Sequence, residues 1–157
     1  PCTTIRYKTA SIAAPFRQRD ESKGTPFGVS AEPNEDVLKG ARVLVVEDEA
    51  AISMLLEDML LDFGCEILGP AARLTTALEI AQRETFAVAI LDVNVAGEPI
   101  YPVAEAIVER DLPLVFSTGY GGAGIREPFR DRPVVQKPFS QADLKRTLIS
   151  AIKDANA

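Results

Sequence analysis

Phe86-Ala87-Val88-Ala89-Ile90-Leu91-Asp92 decides the fold of this chain. Six apolar residues, rich in small and β-branched types, run without alternation into one aspartate. An unbroken apolar run of this length reads as a strand covered on both faces, the pattern of a parallel sheet flanked by helices. In open sheets of that kind, ligands bind beyond the carboxyl ends of the strands. Asp92 stands at that place and is the first residue to explain. Taken alone, it reads more readily as a cap of the turn that follows.

The same alternation of strand and helix extends in both directions. Upstream, Arg42-Val43-Leu44-Val45-Val46 reads as a buried strand ending in Glu47-Asp48-Glu49. Ile52, Leu55, Leu56, Met59, Leu60 and Phe63 then recur at spacings of three and four, one apolar face of a helix, and Gly64 closes it. Cys65-Glu66-Ile67-Leu68 predicts a second strand, and Leu74, Ala77, Leu78 and Ala81 a second helix. Downstream, Pro102 can start a third helix through Val103, Ile107 and Val108. Leu114-Val115-Phe116 is a fourth strand ending in Ser117-Thr118-Gly119, and Pro133-Val134-Val135-Gln136 a short fifth ending in Lys137-Pro138-Phe139. Ser140 with Asp143 resembles a capping box that opens a last helix along Leu144, Leu148, Ile149 and Ile152. Five strands alternating with helices predict an α/β fold, a doubly wound parallel sheet with helices on both faces. Four glycines among residues 119–124, followed by Pro128, disfavour a regular helix between the fourth and fifth strands.

Composition bounds the function. The 157 residues suffice for one domain with a real core, and 46% hydrophobic content fits a globular chain. Residues 40–157 carry 11 Lys+Arg against 18 Asp+Glu, whereas residues 1–39 carry 6 against 5. No basic stripe of the kind that binds a phosphate backbone is present, so no nucleic-acid partner is expected. No apolar run reaches membrane-spanning length, and no membrane partner is expected. Cys2 and Cys65 are too distant in sequence to read as a disulfide framework, and a reducing, cytoplasmic location fits better. The chain has no histidine, which removes imidazole bases and any phosphohistidine of its own. It opens on Pro1 without a Met, the start expected of a processed chain or a piece of a longer one. Residues 1–39 read as an N-terminal extension or the remnant of an upstream domain: a weak strand over residues 3–9 and then a linker over 11–39 punctuated by Pro15, Gly24, Pro26, Gly28 and Pro33.

Parallel strands gather their carboxyl ends at one edge. Glu47 and Asp48, Asp92, Thr118 and Lys137 therefore meet in one crevice. Three clustered carboxylates resist ionising unless a cation sits among them, and an oxygen-only set with room for water suits Mg²⁺. Lys137 can take a phosphoryl oxygen as a point charge and Thr118 can donate to another, leaving Asp92 as the attacking carboxylate of a phosphoryl transfer. Each element has a plainer reading: the acids favour a helix N-terminus, Thr118 is a turn hydroxyl, Lys137 a solvated lysine. The placement of all five at strand ends favours the phosphoacceptor.

Val45-Val46-Glu47-Asp48-Glu49, Leu91-Asp92, Thr118 and Lys137-Pro138-Phe139 together resemble the receiver domain of bacterial two-component response regulators, over residues 40 to about 155. The resemblance implies a flavodoxin-like sheet in the order 2-1-3-4-5 and a receiver domain over 40–157. It also implies Mg²⁺ held by Asp48, Asp92 and the backbone carbonyl of Asn94, with Glu47 acting mainly through water. Asp92 would be phosphorylated by a sensor histidine kinase or a phosphotransfer protein, and a cis peptide before Pro138 would aim Lys137 inward. The aromatic residue that family members usually carry three positions before the lysine is Val134 here. Pro113-Leu114-Val115-Phe116-Ser117-Thr118-Gly119-Tyr120 is similar to a subclass with the motif Pro-Phe-x-Phe-Ala-Thr-Gly-Tyr, which lacks that aromatic residue and commonly works with kinases of the HWE type.

Competing readings are an aspartyl phosphatase of the haloacid dehalogenase type, a nucleotide-binding loop at 119–124, and a pseudo-receiver kept as a protein-binding platform. The first wants a second acid where Asn94 stands, and the second a longer helix than Pro128 allows. The receiver reading makes the protein no enzyme beyond its own phosphorylation and dephosphorylation. It leaves open a free-standing regulator or the C-terminal receiver of a hybrid kinase, and leaves the oligomeric state undefined.

Overall fold

The computed structural model describes residues 37–157. The strand expected over residues 3–9 and the linker up to residue 36 lie outside the described residues. Within them, five parallel strands form one sheet: β1 (Arg42–Val46), β2 (Glu66–Ala71), β3 (Val88–Asp92), β4 (Leu114–Thr118) and β5 (Val134–Gln136). Their order is β2-β1-β3-β4-β5, the doubly wound order expected. Four helices cover the two faces: α1 (Ala50–Asp62), α2 (Leu74–Arg83), α3 (Tyr101–Glu109) and α4 (Gln141–Ala155).

Alternation along each strand divides the core into two layers. Val43, Val45, Val88, Ile90, Val115 and Val135 join Leu56 and Leu60 of α1 and Leu144 and Leu148 of α4. Leu44, Val46, Ala89, Leu91, Leu114 and Phe116 join the small and branched residues of α2 and α3 on the other side. The α1 stripe read from sequence is wider than the contact it makes, since Leu55 is exposed while Ser53 is buried. Gly64, at φ +81°, ends α1 in a Schellman arrangement: Cys65 N–H donates to Leu60 O and Gly64 N–H to Leu61 O. Strand β2 runs three residues past Leu68, because Gly69 carries it through a shift of register against β1. A Cβ on Gly69 would stand 2.8 Å from Val45 O, so only glycine fits. Leu38, in the stretch read as linker, is fully buried in the α1 and α4 layer, and its carbonyl accepts from Ala41 N–H and the Cys65 thiol.

No α-helix joins β4 to β5; the described connection holds one short 3₁₀ turn, Gly122–Gly124. The segment is nevertheless fixed by side chains. Ile125 and Phe129 are buried in the α2 and α3 layer. The Phe129 ring stacks on Tyr101 at 5.8 Å and meets Phe116 edge-on at 6.1 Å. Tyr101 Oη donates to Gly124 O and accepts from Arg126 N–H, while the Arg126 guanidinium lies 4.1 Å from the centre of the same ring. Side-chain packing thus does the work that a helical ladder does elsewhere.

The two aromatic residues of this segment make opposite predictions. Phe129→Ala should lower the urea unfolding free energy by about 3–5 kcal/mol, the usual cost of emptying an aromatic core position. Tyr120, which is 90% exposed, should tolerate alanine within about 0.5 kcal/mol. Equal effects would contradict the packing described.

Candidate functional site

The carboxyl ends of β1, β3, β4 and β5 lie side by side. Register places Val46 opposite Leu91 and Asp92 opposite Ser117, so Glu47, Asp92 and Ser117 occupy successive places along the sheet edge. Alternation turns all three toward the α1 and α4 side, and Lys137, two residues past Val135 on β5, shares that side. One carboxylate oxygen each from Glu47, Asp48 and Asp92 lies within 4.8 Å of the others.

Lys137 crosses to this cluster. Its Nζ stands 2.7 Å from Glu47 Oε2 and 3.4 Å from Asp92 Oδ2. The main chain anchors the lysine, with Lys137 N–H donating to Thr118 O at 2.8 Å and a cis peptide between Lys137 and Pro138. Backbone donors hold the acids. Glu49 N–H donates to Glu47 Oε1 (3.0 Å), Ala96 N–H to Asp48 Oδ2 (2.9 Å) and Asn94 N–H to Asp92 Oδ1 (3.4 Å).

Burial sets the electrostatics. Glu47 is 1% exposed, and its carboxyl is pushed above the ordinary range by burial and by the charge of Asp92, against the pull of Lys137 and Glu49 N–H. Burial also works to lower Lys137, but its bonds to Glu47 and Asp92 outweigh it and the ammonium is held above its usual value. The cluster therefore keeps its one cation and is left short of positive charge.

Every residue singled out from the sequence falls at this edge. Thr118 is buried at the end of β4, and its Oγ1 accepts from Tyr120 N–H, so its own proton remains free to donate. No hydrogen bond joins that hydroxyl to Asp92 or Lys137; Thr118 stands one residue beyond the register partner of Asp92. Asn94 lies in a small antiparallel ribbon, Asn94–Val95 with Glu98–Pro99, closed by Ala96 and Gly97, both at positive φ. Its register partner is Pro99, and because Ile100 N–H donates to the neighbouring Val93 carbonyl, Asn94 stands at a non-hydrogen-bonded place in the ribbon with its own carbonyl turned away from the partner strand. The ribbon, the Ala96 donor and the buried hydroxyl of Ser117 were not anticipated; Gly97 is the one sequence signal that marks the ribbon's turn.

No protein-family model matches the chain. Among solved structures, SdrG from Sphingomonas melonis is 40% identical, with a TM-score of 0.66 over 73% of this chain and 97% of that one. The REC domain of the Erythrobacter litoralis response regulator PhyR is 31% identical, with a TM-score of 0.67 over 77% of this chain and 96% of that one. The chain belongs to the response regulator receiver family. Among curated proteins, the receiver is 36% identical over 107 residues to the transcriptional regulatory protein PdtaR of Mycobacterium tuberculosis, covering 66% of this chain and 52% of that protein. It thus spans about half the length of the curated relatives it matches. Among the described residues of the receiver, no helix is long and apolar enough to cross a membrane.

Coupling between Lys137 and Glu47 is open to a double-mutant cycle. Lys137→Met strands a buried carboxylate and should cost about 3 kcal/mol in urea unfolding. Adding Glu47→Gln should recover part of that loss, whereas simple additivity of the two changes would show the pair to be uncoupled.

Proposed function

We propose that this receiver accepts a phosphoryl group on Asp92 from a phosphohistidine of a sensor histidine kinase or phosphotransfer protein. The observation that carries the reading is the convergence of Glu47, Asp48 and Asp92 with one ammonium shared between two of them. Mg²⁺ fits the donor set, which is oxygen only, short of positive charge and open to water on the Asp48 side. Asp48, Asp92 and the Asn94 carbonyl would hold it, with Glu47 acting through water. Its contribution there is to neutralise the acids and brace the incoming phosphoryl oxygens.

The side chains of the chain do the rest. An Asp92 carboxylate oxygen attacks phosphorus, the P–O bond forms as the P–N bond breaks, and the imidazole leaves neutral after taking up a proton. Lys137 binds one phosphoryl oxygen and the free Thr118 hydroxyl another. Turning Thr118 toward the phosphoryl group releases Tyr120 N–H, which carries the signal into residues 119–130. With no histidine in its sequence, the phosphodonor sits on another protein or elsewhere in a longer chain.

Output through protein contacts follows from the same reading, on the face of β4, β5 and α4, or the receiver serves as a phosphate sink. The receiver occupies residues 40–157, with Leu38 packed onto it, either free-standing or as the C-terminal part of a hybrid kinase, in the cytoplasm. The stretch Pro113–Tyr120 supports the Pro-Phe-x-Phe-Ala-Thr-Gly-Tyr subclass and an HWE-type kinase. Turnover of phosphomonoesters is not expected, since Asn94 stands where a phosphatase of the haloacid dehalogenase type needs an acid.

Phosphoramidate, whose P–N bond mimics phosphohistidine, provides the test. Its consumption followed by ³¹P NMR should be accelerated by the wild-type chain only with Mg²⁺, and at least tenfold less by Asp48→Asn. Consumption that ignores both Mg²⁺ and Asp48 would remove the phosphoacceptor reading and favour a pseudo-receiver binding module.

A further inference from the structure

Among the described residues, one buried side-chain polar atom has no hydrogen-bond partner, the hydroxyl oxygen of Ser117. Ser117 is 1% exposed and lies on β4 between Asp92 on β3 and Val135 on β5. Alternation along β4 turns it to the side of Val115, the side occupied by Glu47, Asp92 and Lys137. Lys137 starts beyond β5, yet its ammonium touches residues at the ends of β1 and β3. Its stem therefore crosses β4, over the place where Ser117 stands.

A buried hydroxyl without a partner is destabilising, and alanine would fill the same space without that loss. The lysine explains what the hydroxyl is for. Nζ carries three N–H donors, and in this structure two of them are directed at Glu47 and Asp92. Phosphorylation of Asp92 makes an acyl phosphate, and the negative charge that the ammonium meets there passes from the carboxylate to the phosphoryl oxygens. Glu47 follows the strand more distant from Lys137, so a lysine that leaves it for a phosphoryl oxygen on Asp92 spans one strand fewer and has its ammonium nearer to Ser117 on β4. We propose that Ser117 is a positioning residue for Lys137 in the phosphorylated state, its Oγ accepting an ammonium N–H and holding the lysine on the phosphoryl oxygen. The proposal rests on Asp92 being the phosphoacceptor, and it assigns the cost of the unpaired hydroxyl to the resting state.

The test compares wild type, Ser117→Ala and Ser117→Thr with Mg²⁺ and beryllofluoride, which stands in for the phosphoryl group on an aspartate. Two quantities are read: the melting temperature without beryllofluoride, and the beryllofluoride affinity by ¹⁹F NMR. Ser117→Ala should melt at or above the wild-type temperature and yet bind beryllofluoride about tenfold more weakly, the size of one hydrogen bond to a charged group. Ser117→Thr, which restores the hydroxyl in a strand that tolerates β-branching, should bind within about twofold of wild type. Equal affinity in wild type and Ser117→Ala would overturn the proposal. So would a joint loss of melting temperature and affinity that threonine does not repair, since that marks packing alone. Failure of the wild-type chain itself to bind beryllofluoride with Mg²⁺ would instead overturn the phosphoacceptor reading, and this proposal with it.

Discussion

The convergence of three carboxylates on one sheet edge constrains everything else in this molecule. Glu47, Asp48 and Asp92 are brought within 4.8 Å of one another at the ends of two adjacent strands. One ammonium from the edge strand β5 and three backbone N–H groups are what hold them there. Only a doubly wound order places β1 and β3 together at the centre with β5 close enough for Lys137 to reach both. Under the proposed function, the negative charge that one ammonium leaves uncompensated favours a cation, and a cation among carboxylates is what an incoming phosphoryl group needs. Fold, site and proposed chemistry thus share one electrostatic cause.

The connection between β4 and β5 shows a second economy. A glycine-rich stretch cannot hold a regular helix, and here it is anchored by three rings and one arginine. Tyr101 sits at the centre of that anchor, bonded to the main chain at Gly124 and Arg126. The other end of the segment begins at Thr118, whose hydroxyl holds Tyr120 N–H. A short stretch with little internal hydrogen bonding therefore runs from the acidic crevice to a packed aromatic cluster, an arrangement that lets a small change at Thr118 be felt in the surface of residues 119–124.

The parts legible in the sequence are those with a period or a forced conformation. Apolar runs ending in acids fixed β1 and β3, Gly64 marked the end of α1, and the strand-end positions alone brought Glu47, Asp48, Asp92, Thr118 and Lys137 to one edge. The parts that were not legible lack any period. Ile125 and Phe129 are lone apolar residues among glycine, proline and charged neighbours, Val37-Leu38 is an isolated pair, and only tertiary packing shows that Ile125, Phe129 and Leu38 are core. Leu55 fits the α1 stripe and is exposed because the stripe is broader than the surface beneath it. The Ala96 N–H that holds Asp48 is a backbone group, invisible to residue type. Ser117 read only as part of the stretch that ends a strand, and its burial without a partner emerges only from the packed structure.

The central claim is covalent chemistry at a single carboxylate. The most direct measurement is the intact mass of the chain after incubation with acetyl phosphate and Mg²⁺, for wild type and Asp92→Asn. The account predicts one phosphoryl adduct, stable in acid and labile in base, that requires Mg²⁺ and is absent from the variant. No adduct under any of these conditions, or an adduct that persists in Asp92→Asn, would contradict it.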